Sequence, residues 1–535
     1  MQSAYAEPSP VPQPQVVGEP YVRVVTAPND WKAPPFVGSP TLVRLESGDL
    51  LFCHDLFSKG SDQDTAYFLV SEDDGKTWEK RSELQGIFWP SVFRCESGLY
   101  VIGIEPGSRP PYADVCIARS EDEGGTWSEP VAVTNGLAAH TGNTGVLISK
   151  GRVTVSFEVA PQLCQPTPKT VTREEWKVAD ADLDTREFVL DVADPAVFAP
   201  HSLVRFEYGD SRLHVRVLAV NETAKTLTLR PERWTAVDRF PKSPVNSPGP
   251  WTFPKGTAIE IASGTVGNNR DFWAVAADAD ETANLCDPDA WRLSNPVGNP
   301  AYTHARVLAD LFDWNAVPRD AQGRPKAVVG SAWAGWLEGV LVRMDHPGGD
   351  GSILNLMRVA GASTGNISAR IRVEDGGDAL TARFDKFAPD PGFGVTHGCV
   401  RYDPESKLYW LASNVNRDST RDLTGIPLTG NTAVQERSNL ALFYSRNCAD
   451  WFMAGLVAYR RDWVHSFHYP HFVIDGDDLL FAVRSHIESP LTEKTIHKGK
   501  GKTADNHNSN AATFHRVPDF RNLVNKDFIQ NYEFQ

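Results

Sequence analysis

Histidine recurs in this chain of 535 residues beside the openings of short strand-turn-strand pairs. His54 and Asp55 close the first such pair, His140 stands in the small-residue loop from Ala139 to Gly145, and His397 sits between Thr396 and Gly398. His468, Tyr469 and His471 fall in one stretch, and His507 lies in Asp505-Asn506-His507-Asn508. Imidazole titrates near neutrality, so several gathered around one pocket suit proton transfer. Asp55 adds a carboxyl able to act as a general acid. In the segment Tyr302 to Arg306, residues Tyr302, His304 and Arg306 alternate and would share one face of a strand. No H-x-x-x-H or comparable ligand spacing occurs, so neither a metal nor another cofactor is expected.

These residues need a scaffold that brings distant positions together, and an internal repeat supplies it. Ser71-Glu72-Asp73-Asp74-Gly75-Lys76-Thr77-Trp78 and Ser120-Glu121-Asp122-Glu123-Gly124-Gly125-Thr126-Trp127 share the pattern S-x-D-x-G-x-T-W. Their spacing of about fifty residues is one propeller-blade length. In such a motif the Asp caps backbone N–H groups of a hairpin turn, the Gly takes a positive φ and the Trp packs between neighbours. Ser445-Arg446-Asn447-Cys448-Ala449-Asp450-Trp451 is a decayed third copy, one residue short.

Strand-turn-strand pairs precede the two boxes, at Thr41 to Phe52 and Ser91 to Ile102. Further openings begin at Gly145, Trp336, Gly398 and Phe472. Six openings predict six blades, with seven as the alternative. Between about Thr170 and Ile261 the rhythm changes to short alternating strands without a box, which reads as an inserted small β-barrel or sandwich module. The expected organisation is a disordered tail over 1–20, propeller over 21–165, the inserted module over 166–265, and propeller again over 266–535. The polar stretch Pro490 to Asn510 reads as a long loop at the mouth.

Composition agrees with an all-β chain. Fifteen Trp, 13 Tyr and 26 Phe accompany 41 Gly and 38 Pro but only 4 Met, which favours strands and turns. A formal charge of −15 without an extended basic block argues against a nucleic-acid partner. It does not argue against an acidic sugar, because arginines inside a cleft outweigh a distant, screened surface charge. Seven scattered cysteines without a C-x-x-C pair read as small buried hydrophobes. No apolar run approaches the ~20 residues of a membrane span. Ala4-Tyr5-Ala6 has the small-x-small form of an export cleavage site, consistent with a secreted or periplasmic protein.

The two boxes resemble those of the Asp-box proteins of the sialidase superfamily. That resemblance implies a sialidase-like β-propeller, with an arginine triad for a sugar carboxylate, a Tyr nucleophile paired with a Glu, and an Asp acid/base. Trp336-Leu337-Glu338-Gly339 with the later Arg358 is similar to the stretch supplying the family's glutamate and second arginine, and His468-Tyr469-Pro470-His471-Phe472 to the strand carrying its tyrosine. The family's first arginine would stand in Phe36-Val37-Gly38-Ser39-Pro40, where there is none.

The resemblance therefore implies an exo-acting glycoside hydrolase on a sugar other than ordinary sialic acid, with Asp55, Glu338 and Tyr469 as its catalytic set. Two alternatives stay open. One is a polysaccharide lyase eliminating at a uronate, with His140 or His304 as base, Tyr302 or Tyr469 as acid and Arg358 on the carboxylate. The other is a non-catalytic glycan-binding propeller. His54, Arg306, His397, His468, His471 and His507 are candidate substrate contacts in either enzyme. The expected partner is an oligo- or polysaccharide, with no nucleic acid and no membrane, bound by a monomer or small homo-oligomer.

Overall fold

The computed structural model describes residues 15–105 (save 39 and 62), 114–134, 139–140, 145–159, the strands and a few neighbours between 169 and 261, 273–294 with 297, 335–360, 366–415 (save 378, 379, 394 and 395), 436–492 (save 463) and 503–525. Within them the secondary structure is antiparallel β-sheet with two short 3-10 turns.

Among the described residues, six sheets follow one another along the chain. The first holds Phe36–Val37 and Thr41–Arg44, then Leu50–Phe57, Thr65–Ser71 and Glu79–Gln85; the second holds Phe88–Cys95, Gly98–Ile104, Val115–Ser120 and Val131–Ala132. The third pairs Ala139–His140 and Val146–Ser149 with Arg152–Val159, and continues to Trp273–Asp280 and Arg292–Leu293. The fourth runs from Gly335–Arg343 through Ile353–Ala360 and Ser368–Asp375 to Leu380–Ala388. The fifth runs from Cys399–Asp403 through Leu408–Ser413 and Asn439–Ser445 to Phe452–Tyr459. The sixth contains Ser466–Asp475, Asp478–His486 and Ala511–Val517, and its fourth strand is the N-terminal Val22–Thr26.

The innermost strands of successive sheets touch in order, and that of the sixth touches that of the first, so the sheets form a closed ring. This is a β-propeller. Pairing the first strand of the chain with the last locks the ring shut without leaving an edge there. The core is distributed between sheets: Phe88, Tyr100, Val153, Phe157 and Trp291 fill one interface, and Trp410, Tyr444, Phe472 and Phe520 another.

The third sheet is interrupted between Arg152–Val159 and Trp273–Asp280. There the described residues build a separate eight-stranded sheet with strands from Lys169–Thr170 to Ala258–Ile261. Arg152–Val159 then pairs residue for residue with Trp273–Asp280, so the excursion leaves the sheet's register intact.

The repeated octapeptides form identical turns. Asp73 accepts from the Thr77 backbone N–H at 2.8 Å and Asp122 from that of Thr126 at 2.7 Å, while Gly75 and Gly124 take φ of 91° and 81°. Trp78 packs on Phe52 of its own sheet and Phe514 of the sixth, the inter-sheet role expected of it. The shortened third copy turns the same way: Asn447 accepts from the Ala449 and Asp450 N–H groups, and Trp451 donates to the buried Asp390 at 2.9 Å. Six described cysteines are free thiols, four of them buried. Among the described residues no helix is long and apolar enough to cross a membrane.

Candidate active site

An antiparallel sheet places the start of its innermost strand beside the end of the next. Around a propeller, those two sets of positions meet at one mouth. Asp55 ends Leu50–Phe57, Arg358 lies near the end of Ile353–Ala360 and Arg484 near the end of Asp478–His486, while Trp89, Glu338 and Tyr469 lie near the starts of innermost strands. Sheet geometry thus gathers residues more than 400 positions apart in sequence.

At the centre, the Tyr469 hydroxyl donates to Glu338 Oε1 at 2.9 Å. Arg358 Nη1 donates to Glu338 Oε2 at 3.0 Å and to the Tyr469 oxygen at 3.2 Å. All three are buried. Glu338 and Tyr469 both adopt left-handed backbone, with φ of 54° and 51°, inside bulges that interrupt their strands. Such a conformation is rare outside glycine and is held only where the surroundings dictate it. Part of that hold is Glu158, whose carboxylate accepts from the Gly339 N–H at 3.2 Å.

Two further guanidinium groups stand over the Tyr469 ring, Arg437 at 5.7 Å and Arg484 at 5.3 Å from its centroid. Burial, followed by the neighbouring Arg358 and Arg484 charges, moves Arg437 down to about 10. Burial also lowers Arg484. Arg484 donates to the His507 carbonyl and lies 4.4 Å over the Phe57 ring, while its Nε has no hydrogen-bond partner among the described residues. A mouth holding three buried arginines is strongly electropositive in an acidic protein.

The histidines are neutral supports. His468 Nδ1 accepts from Arg437 at 3.0 Å, so its proton is on Nε2 and points to Ser509 Oγ at 2.9 Å. Burial and then the Arg437 charge hold it well below the ordinary imidazole range. His397 donates from Nδ1 to the Gly398 carbonyl and sets its ring edge-on to Tyr469, with centroids 4.6 Å apart; burial lowers it too. His54 stacks on Tyr67 and is pushed down by burial to about 4.

Asp55 is fully buried, and burial pushes its carboxyl up to about 7. Its Oδ2 accepts from the Trp89 N–H at 3.1 Å, whereas Oδ1 has no partner among the described residues. Oδ1 fills the space beside Gly38, where an added Cβ would lie 1.6 Å from it. Position 38 therefore has room only for hydrogen.

Of the other candidates, His507 is exposed beside Phe57, and His140 pairs with Glu158 in the third sheet. His471 lies past the bulge and accepts at Nδ1 from the Leu42 N–H, bordering an axial cavity of about 230 Å³ with Arg401 and Val473. Tyr302, His304 and Arg306 lie outside the described residues. Among the described residues no three His, Cys, Asp or Glu side chains are grouped to hold a metal. Sequence reading missed Arg437, Arg484, Glu158 and Trp89. A signal for Arg484 existed, an arginine closing the apolar run Leu479 to Val483.

No protein-family model and no curated protein matches this chain. Among solved structures it is similar to a Penicillium chrysogenum alpha-L-arabinanase complexed with arabinobiose, at 10% identity and a TM-score of 0.43, over 95% of this chain and 99% of that one. It is also similar to an alpha-L-arabinofuranosidase from Fusarium graminearum, at 11% identity and a TM-score of 0.33, over 94% and 98% of the two chains. A mutant Trypanosoma rangeli sialidase displaying trans-sialidase activity gives 11% identity and a TM-score of 0.31, over 94% of this chain and 60% of that one.

Proposed function

We propose that this protein is a glycoside hydrolase acting by a covalent tyrosyl intermediate on a glycan that carries a carboxylate. The observation carrying this reading is the buried trio in which Tyr469 donates to Glu338 and both meet Arg358. Glu338 accepts the phenolic proton, Arg358 stabilises the charge developing on oxygen, and that oxygen attacks the anomeric carbon. Asp55, a carboxyl still protonated near neutral pH, gives its proton to the departing glycosidic oxygen. It then takes one from the water that releases the sugar. Two displacements at one carbon make the reaction retaining.

Arg437 and Arg484 support an anionic sugar, since a planar guanidinium meets a carboxylate bidentately and keeps its charge when buried. The altered surroundings of Gly38 and Asp55 favour a substrate other than ordinary sialic acid. The proposed division is propeller over 21–165 and 266–535 around an inserted module over 166–265. The substrate class suits a secreted or periplasmic site of action.

The test is incubation of purified protein with sialylated and uronate-rich glycans, following reducing ends and near-ultraviolet absorbance together. Released reducing ends without absorbance support hydrolysis. Absorbance rising with them identifies an unsaturated uronate and replaces this reading with the lyase. No release beside measurable sugar binding leaves a lectin-like propeller.

A further inference from the structure

Bulges interrupt the innermost strands of the second, fourth and sixth sheets, between Phe88 and Ser91, Leu337 and Val340, and His468 and His471. One residue in each takes left-handed backbone: Trp89 at φ 51°, Glu338 at 54° and Tyr469 at 51°. The innermost strand of the fifth sheet, Cys399–Asp403, pairs without a bulge, so the sheet architecture does not impose one. A bulge re-aims one side chain, and bulges concentrate beside active sites. Two of these three carry the proposed nucleophile and base.

We infer that Trp89 is the third member, the platform on which an apolar face of the bound sugar stacks and which fixes that sugar's orientation. The inference rests on the glycan reading above and adds a residue to it. Trp89 is tied to the chemistry by its own backbone, whose N–H donates to Asp55 Oδ2 at 3.1 Å. Its ring stacks on Phe88, with centroids 4.5 Å apart and planes 27° from parallel, and stays partly exposed between the buried Phe88 and Pro90.

A partly exposed indole backed by a second aromatic ring is a rigid, flat, apolar surface with little entropy left to lose on binding. Pyranose and furanose rings offer a matching face of C–H groups. The sugar would then sit with that face on Trp89, its carboxylate toward Arg437 and Arg484, and its anomeric carbon at Tyr469. Trp89 selects for ring-face stereochemistry, and the arginines select for charge.

The experiment compares the full-length protein with Trp89→Leu and Trp89→Phe, all in the Tyr469→Phe background to prevent turnover. Binding of N-acetylneuraminic acid, D-glucuronic acid and their oligosaccharides is read by calorimetry, with thermal unfolding as the fold control. The expected result is a Kd about tenfold weaker for Trp89→Leu and within about threefold for Trp89→Phe, the scale of one aromatic contact. In the active background, KM should rise while kcat holds, because stacking contributes equally to ground and transition states. Should Trp89→Leu fail to fold, Trp89→Phe decides alone, through loss of saturation transfer from the indole to the C–H protons of the bound sugar. Binding unchanged by the Trp89 substitutions but abolished by Arg484→Leu would overturn the platform and leave the glycan reading standing. A Tyr469→Phe protein that binds none of the sugars overturns both.

Discussion

The Tyr469 hydroxyl and the Glu338 carboxylate meet at 2.9 Å although 131 positions separate them in sequence, and both stand at left-handed backbone angles. Two sheets independently carry a costly conformation to make one contact, which argues for selection on the contact rather than on stability.

Removing either partner should therefore abolish turnover while sparing binding. Tyr469→Phe and Glu338→Gln are each expected to lower kcat by about 10³-fold, with sugar affinity unchanged. Single-turnover kinetics and calorimetry on the two variants check this. The variants should be non-additive, since the residues act as one unit.

Asp55 sets the pH dependence. Its carboxyl titrates near 7 in the folded protein, above its ordinary value of 3.8. Between those values the folded state binds more protons than the unfolded state, so stability falls as pH rises through that window. Activity that needs the protonated acid should decline above about pH 7. Asp55→Asn should flatten both the stability slope and the alkaline limb of kcat/KM, measured by thermal unfolding and rates from pH 4 to 9.

Gly38→Ala should reproduce the Asp55 defect from the opposite strand. The new Cβ would fall 1.6 Å from Oδ1, so the carboxyl must swing away from its seat. The expected outcome is a loss of kcat with the alkaline limb displaced, in a protein whose circular dichroism is unaltered. A fully active Gly38→Ala enzyme would show that Asp55 is not held where proton transfer needs it.

Arg484 exchanges stability for binding. A guanidinium buried on Phe57 and Tyr469 costs desolvation. Arg484→Leu is expected to unfold at the same or a slightly higher temperature, while KM for a uronate or sialate glycoside rises about 100-fold. Asp390 is the contrasting case, a carboxylate bonded to Ser368, Arg370 and Trp451. Asp390→Ala strands the Arg370 charge and should cost about 3–5 kcal/mol in denaturant unfolding, with kinetics intact.

What the sequence determined by itself is the local grammar of this protein. The two octapeptides fix their hairpins because every group they need, the Ser71 and Asp73 acceptors, the Gly75 turn and the Trp78 plug, lies within eight residues. Short apolar runs such as Leu50–Phe57, set off by turn residues, mark strands for the same reason. Even Asp55, Glu338, Arg358 and Tyr469 stood out, through residue type and resemblance.

Only the tertiary structure decided which of them meet. Closing the ring brings Arg437 against His468 and Arg484 over Phe57, contacts between different sheets that share no local pattern. It also sends His471, two residues from Tyr469, to the axial cavity instead of the mouth, because the bulge between His468 and His471 shifts the strand's alternation. Period-two reasoning cannot anticipate an inserted residue, and burial, which makes Asp55 an acid near neutrality, belongs to the assembled ring rather than to any segment of the chain.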